Sequence, residues 1–149
     1  MITHPPTDTA VRIVAALRER GLPVAVGGSA LLASLGLVDR VRDWDITCEG
    51  EPAVVTAALD RLGLAWTAPA SAGRPFATRA RLVVDAGDHE IDVLVGFAAW
   101  DGDRLVPFPV GVTGEWRGLP IADPAVWAIA YRLIGRPERA ALLERWLAG

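Results

Sequence analysis

Apolar positions recur along the chain with two different periods. Downstream of Thr7 or Asp8, either of which can cap a helix, Ala10, Val11, Val14 and Leu17 follow helical spacing. The charged residues Arg18, Glu19 and Arg20 then precede a stop at Gly21. Val24 to Val26 is a short apolar strand that runs into Gly27-Gly28-Ser29, and Ala30 to Leu35 reads as a helix closed by Gly36. Leu37 to Arg42 connects it to Asp43–Cys48, where polar and apolar residues alternate with the period of two of a half-buried strand. Pro52 suits a first helical position, and Ala53 to Leu62 continue that helix to Gly63.

Strand patterns dominate the middle of the chain. Leu64 to Thr67 is a short strand candidate, followed by the loop Ala68–Pro75. Phe76–Val84 and His89–Val95 form a predicted hairpin through the turn-rich Asp85-Ala86-Gly87-Asp88. Arg104–Val112 adds a strand that Pro107 and Pro109 push to a sheet edge. Asp123-Pro124 is a cap with proline at the first helical position; Ala125–Ile134 fills that helix, and Pro137–Leu147 forms another after Gly135. The order predicts an α/β fold, a mixed β-sheet flanked by helices and closed by a C-terminal helical pair. It also predicts one domain over residues 1–149, with a core at about 22–122 and the helices at about 123–148.

Composition narrows the function classes. The 149 residues are 52% hydrophobic and 22% charged, which fits a globular chain and argues against disorder. A net charge of −3 gives no general attraction to polyanions, so neither extended nucleic acid nor an anionic membrane surface is an expected partner. Every one of the fifteen basic residues is arginine. Cys48 is the only cysteine, which excludes an internal disulfide and fits a reducing compartment. No secretory leader pattern is visible at the start, and the expected location is the cytoplasm. The uncharged stretch Gly21–Val38 reaches the roughly 18 residues of a membrane span, but Pro23, Gly27, Gly28 and Gly36 interrupt it.

The chemistry-bearing feature is an ordered set of residues. An apolar strand leads to Gly28-Ser29 at a helix start; after thirteen intervening residues come Asp43-Trp44-Asp45-Ile46, and far downstream Ile91-Asp92-Val93. On a strand Asp43 and Asp45 share a face, while Trp44, Ile46 and Cys48 point into the core. The same parity places Glu90 and Asp92 together, so Asp92 can join the first two carboxylates if the strands share a sheet. Three clustered carboxylates repel one another and call for a cation, and an oxygen-only donor set suits Mg²⁺ or Mn²⁺. Gly27 and Gly28, lacking side chains, let a phosphate approach the backbone at the helix start, and Ser29 adds a hydroxyl donor. A phosphate cradle beside a carboxylate cluster is equipment for phosphoryl or nucleotidyl transfer.

The run from Val26 to Ile46, VGGSALLASLGLVDRVRDWDI, together with Ile91-Asp92-Val93, resembles the signature of the nucleotidyltransferase superfamily related to DNA polymerase beta, in its small stand-alone form. That resemblance implies metal-dependent transfer of a nucleoside monophosphate from an NTP, with ATP the expected one, to an acceptor hydroxyl, releasing pyrophosphate. It implies that Gly28 and Ser29 hold the triphosphate, that Asp43 and Asp45 ligate two metals, and that Asp92 ligates the one activating the acceptor. Glu90 shares the face of Asp92 and is an alternative or helper. With no lysine in the chain, cationic help to the phosphates falls to arginine, and Arg40, Arg42, Arg74 and Arg79 are nearest in sequence. Little chain remains after the core to hold an acceptor, which leaves two alternatives: a homodimer or a protein partner that completes the acceptor site, or no acceptor site at all.

Two other function classes remain open on sequence. One is a catalytically degenerate relative serving as a nucleotide-binding or toxin–antitoxin interaction module; the other is a glycosyltransferase holding Mn²⁺ at Asp43-x-Asp45, for which the chain is short and the glycine turn has no role. The six tryptophans are expected to serve mainly in packing, with Trp100 and Trp116 as candidates to stack on a base or acceptor. Cys48 reads as a buried small hydrophobe, and His4 and His89 as surface residues.

Overall fold

Helix α1 (Asp8–Glu19) opens the ordered elements of the computed structural model, which describes residues 1–149. Its Ala10, Ile13, Val14 and Leu17 are buried, giving the single apolar stripe that packs on the sheet. Strand β1 (Val24–Gly27) is buried along its whole length and passes directly into α2 (Gly28–Ser34). Then follow β2 (Trp44–Cys48), α3 (Pro52–Arg61) and the two-residue β3 (Trp66–Thr67). Strands β4 (Ala80–Asp85) and β5 (Glu90–Val95) form the expected hairpin, with Asp85 opposite Glu90.

Further strand pairs complete the framework. β6 (Ala98–Asp101) and β7 (Arg104–Pro107) make a separate two-stranded sheet. β8 (Val112–Trp116) and β9 (Leu119–Ala122) pair antiparallel, and β9 runs parallel to β1. The seven-stranded sheet has the order β3-β4-β5-β2-β1-β9-β8 and is mixed, because β2–β5 and β1–β9 are parallel and the other pairs antiparallel. Helices α4 (Pro124–Leu133) and α5 (Pro137–Ala148) pack on each other, forming the terminal pair that the cap at Asp123 and the break at Gly135 predict. The Asp123 side chain accepts from the Ala125 amide at 2.9 Å, as a cap should.

Alternation within the central strands sorts core from site. Trp44, Ile46 and Cys48 on β2, and Ile91, Val93 and Val95 on β5, are fully buried on one face. Trp44 can lie there without an orphaned donor because its Nε1 donates to the Pro6 carbonyl at 3.0 Å. The opposite face carries Asp45, Asp92 and Leu94.

Several expectations need correction. The first hairpin strand begins at Ala80, not Phe76; Phe76 instead bridges to Ala99. The edge strand expected over Arg104–Val112 stops at Pro107, and β6, β8 and β9 have no counterpart among the expected elements. His89 is buried, not exposed, its Nδ1 2.7 Å from the Asp88 carboxylate and its Nε2 without a partner. Trp116 packs against His4 and Trp44 with ring centroids 5.6 and 6.4 Å away, and Trp100 lies under the Arg74 guanidinium at 4.2 Å.

Candidate active site

Strand register brings two of the candidate carboxylates side by side. β2 and β5 run parallel with Asp45 opposite Asp92, and Gly27 of β1 stands opposite Asp45 on the other flank. Gly28 enters α2 at φ +61°, in the left-handed region, and a Cβ there would collide with the Asp45 carboxylate. The missing side chain therefore serves both the backbone turn and the position of Asp45. A Cβ on Gly27 would collide with the Trp127 indole, so the second glycine admits the tryptophan that walls the site.

Electrostatics single out Asp45. Its pKa rises from 3.8 to about 7, first because burial disfavours the charged form and next because the Asp92 charge repels it. Arg139 opposes the rise, while Asp43 and a side-chain hydrogen bond with Asp92 add to it. Asp92 itself is held by Arg81, whose Nε and Nη2 each lie 3.0 Å from Oδ1. Arg81 thus offsets the charge of Asp92, and Arg139 favours the ionised form of Asp45.

The third carboxylate stands apart from them. Asp43 Oδ1 accepts from the Glu90 amide at 2.9 Å, and no group of three acidic, histidine or cysteine side chains is placed to hold a metal together. A divalent cation fits the Asp45–Asp92 pair nonetheless. The donors are hard oxygens facing the cleft, with Arg81 paired to Asp92 and the Arg139 charge favouring the ionised form of Asp45.

These carboxylates face a cleft of about 580 Å³. Gly28, Asp45, Asp92, Leu94, Arg79 and Arg81 line its sheet side, and the loop Ala68–Ala72 with Phe76 and Thr78 forms one rim. Phe97, Trp127, Tyr131, Ile134, Arg136 and Arg139 close the other. Phe97, Trp127 and Tyr131 pack in sequence with centroids 5.0 and 5.3 Å apart, giving a rigid aromatic wall. Arg139 Nη1 donates to the Tyr131 hydroxyl at 3.3 Å, and burial raises the Tyr131 pKa.

Of the residues nominated from sequence, Gly28, Asp45, Asp92 and Arg79 line the cleft. Gly27 is buried behind Trp127, Ser29 is half-buried at the start of α2, and Asp43 is half-buried just before β2. Arg42 is exposed, and neither it nor Arg40 or Arg74 lines the cleft. Sequence reasoning missed Arg81, Tyr131, Arg136 and Arg139. A signal existed: after the Gly135 break, Arg136 and Arg139 stand three apart, a spacing that puts them on one side of a helix.

No family model matches the chain, and no curated protein matches it in sequence. Among solved structures, ANT(2'')-Ia, an antibiotic-resistance factor, superposes with a TM-score of 0.58 at 22% identity over 95% of this chain and 86% of its own. Its complex with adenylyl-2''-tobramycin gives 0.60 at 21% identity over 95% and 88%. TM1012 of Thermotoga maritima, itself proposed to be a nucleotidyltransferase, gives 0.69 at 18% identity over 99% and 96%. The chain therefore has the nucleotidyltransferase fold, and it spans nearly the full length of these neighbours.

Proposed function

With the nucleotidyltransferase fold as premise, we propose that the protein transfers a nucleoside monophosphate from an NTP, ATP in the first instance, to the hydroxyl of a small acceptor, using Mg²⁺ or Mn²⁺. The observation that carries this reading is the Asp45–Asp92 pair, opposed across β2 and β5 and set against the side-chain-free Gly28. Asp45 and Asp92 would hold the divalent cation, with Asp43 available after release from the Glu90 amide. The cation, when bound, would offset the charge of the triphosphate and of the departing pyrophosphate.

The remaining work falls to the chain. Gly28, its bare Cα against the Asp45 carboxylate, lines the cleft at the start of α2, and Arg139 and Arg136 bring positive charge from the α5 end. Trp127 and Tyr131, packed edge to face, supply an aromatic wall against which the nucleoside can rest. In the transfer the bond between the α-phosphorus and its bridging oxygen breaks, the acceptor oxygen bonds to phosphorus, and the hydroxyl proton passes to the Asp92 carboxylate. The chain acts as one unit, residues 1–149, its location is taken to be cytoplasmic, and no helix is long and apolar enough to cross a membrane.

A second reading, a scaffold that binds partners without turnover, draws support from one observation: Asp43 is engaged by the Glu90 amide, and no three carboxylates are placed to hold a metal together. An interaction module of the toxin–antitoxin kind would belong to this reading. Pyrophosphate release separates the two. Purified protein with each NTP, Mg²⁺ and a panel of hydroxylated small molecules should release pyrophosphate with at least one acceptor and lose that release in Asp45→Asn. Absence of release across the panel, with the fold intact, would favour the scaffold.

A further inference from the structure

ANT(2'')-Ia is known in complex with adenylyl-2''-tobramycin, and tobramycin is a polyamine. The cleft described above has the opposite charge from one built for such a ligand. Four arginines, Arg79, Arg81, Arg136 and Arg139, line it against two aspartates, although the chain as a whole carries −3. Both aspartates are the Asp45–Asp92 pair that would hold the divalent cation, and Asp92 is also paired with Arg81. No other carboxylate lines the cleft, and its loop rim, Ala68–Ala72, is uncharged. Polyamines are recognised by carboxylates that replace the hydration of each ammonium; here an approaching ammonium would meet guanidinium groups instead.

The cleft also has two ends. On the sheet, Asp45 and Asp92 lie between the Gly28 turn at the end of β1 and the arginines of the β4 side. If the triphosphate takes the Gly28 end with Arg136 and Arg139, Arg79 and Arg81 remain at the other. Arg79 is exposed and its partner Glu51, at 2.8 Å, is more exposed still. Such a screened pair is held weakly and exchanges readily for a ligand anion. Resting on the proposed function, we infer that the acceptor is an anionic, hydroxyl-bearing small molecule, such as a phosphorylated or carboxylated sugar, whose anionic group is received by Arg79 at the β4 end of the cleft. Phe76 and Leu94 beside it offer two apolar surfaces for the sugar body.

The test is calorimetric, on the full chain with Mg²⁺ and a non-hydrolysable ATP analogue filling the Gly28 end. Glucose 6-phosphate and tobramycin are then titrated separately. The expected result is at least tenfold tighter binding of glucose 6-phosphate. Arg79→Glu should abolish that preference, Arg79→Lys should keep most of it, and Glu51→Gln, which frees Arg79, should strengthen it about twofold. Tighter binding of tobramycin, binding of neither compound, or a preference indifferent to Arg79→Glu would overturn the inference while leaving nucleotide transfer standing. Failure of the analogue itself to bind would instead overturn the proposed function, and the assignment of an acceptor with it.

Discussion

Replacing Asp45 with asparagine should stabilise the protein, and by an amount that depends on pH. In the folded chain the Asp45 pKa is raised to about 7 from 3.8, mainly by burial. Below pH 3.8 the carboxyl is protonated whether folded or unfolded and costs nothing. As pH rises from 3.8 to about 7 the unfolded chain gives up the proton while the folded one retains it, so stability falls; above that the full cost is present. About three pKa units correspond to about 4 kcal/mol at most. Asp45 opens partly onto the cleft, and solvent there reduces the expected figure to about 2 kcal/mol. The asparagine side chain cannot ionise but keeps the shape of the carboxyl. The difference in urea stability between Asp45→Asn and the wild type, followed by tryptophan fluorescence, should therefore be near zero at about pH 4. It should reach about 2 kcal/mol in favour of the variant at about pH 8, a midpoint shift of roughly 1 M urea. A difference that stays flat with pH, or a variant less stable at the higher pH, would refute the account of a strained, desolvated carboxylate pair.

Other substitutions probe the same centre. Gly28→Ala forces a side chain into the left-handed region, costing about 1–2 kcal/mol, and drives its methyl into the Asp45 carboxylate, so thermal stability and NTP binding should both fall. Unchanged NTP binding in that variant would remove the glycine from the phosphate end. Arg139→Ala withdraws the one charge that lowers the Asp45 pKa. It should move the pH-dependent loss of stability to higher pH and weaken NTP binding by about tenfold, roughly 1.4 kcal/mol, both recoverable in part with Arg139→Lys. Trp127→Ala should cost about 3–5 kcal/mol of stability by opening the aromatic wall, measured by denaturant unfolding.

How much of this the residues foretold varies along the chain. From α1 to β2 the glycine stops, the apolar strand and the alternation around Asp45 all agree with the final structure, because local preference and burial point the same way. β8 and β9 were hidden. Gly114, Gly118 and Pro120 are poor strand formers that mask the pattern, and Arg117 at φ +53° lies in the tight connection between the two strands. Proline is disfavoured inside a sheet, yet Pro120 lies in β9 opposite Glu115 of β8, where β9 meets β1 at the single register pair Val26 with Ile121. At the site, strand parity groups Asp43 with Asp45 and Glu90 with Asp92, whereas the meeting of Asp45 and Asp92 depends on the parallel β2–β5 register, which no local pattern encodes. Arg136 and Arg139 reach the cleft only because α5 folds back along α4 after Gly135. Arg42 looked near in sequence, but the connector before β2 leaves it exposed and away from the cleft lining.

The most direct measurement is a calorimetric titration of ATP into the purified protein with Mg²⁺ and then with EDTA, repeated with Asp45→Ala. The expected result is saturable binding that needs both the metal and the Asp45 carboxylate. Binding that is indifferent to EDTA and to Asp45→Ala, or no binding by the folded wild-type protein, would contradict a metal-dependent nucleotide site built on this pair.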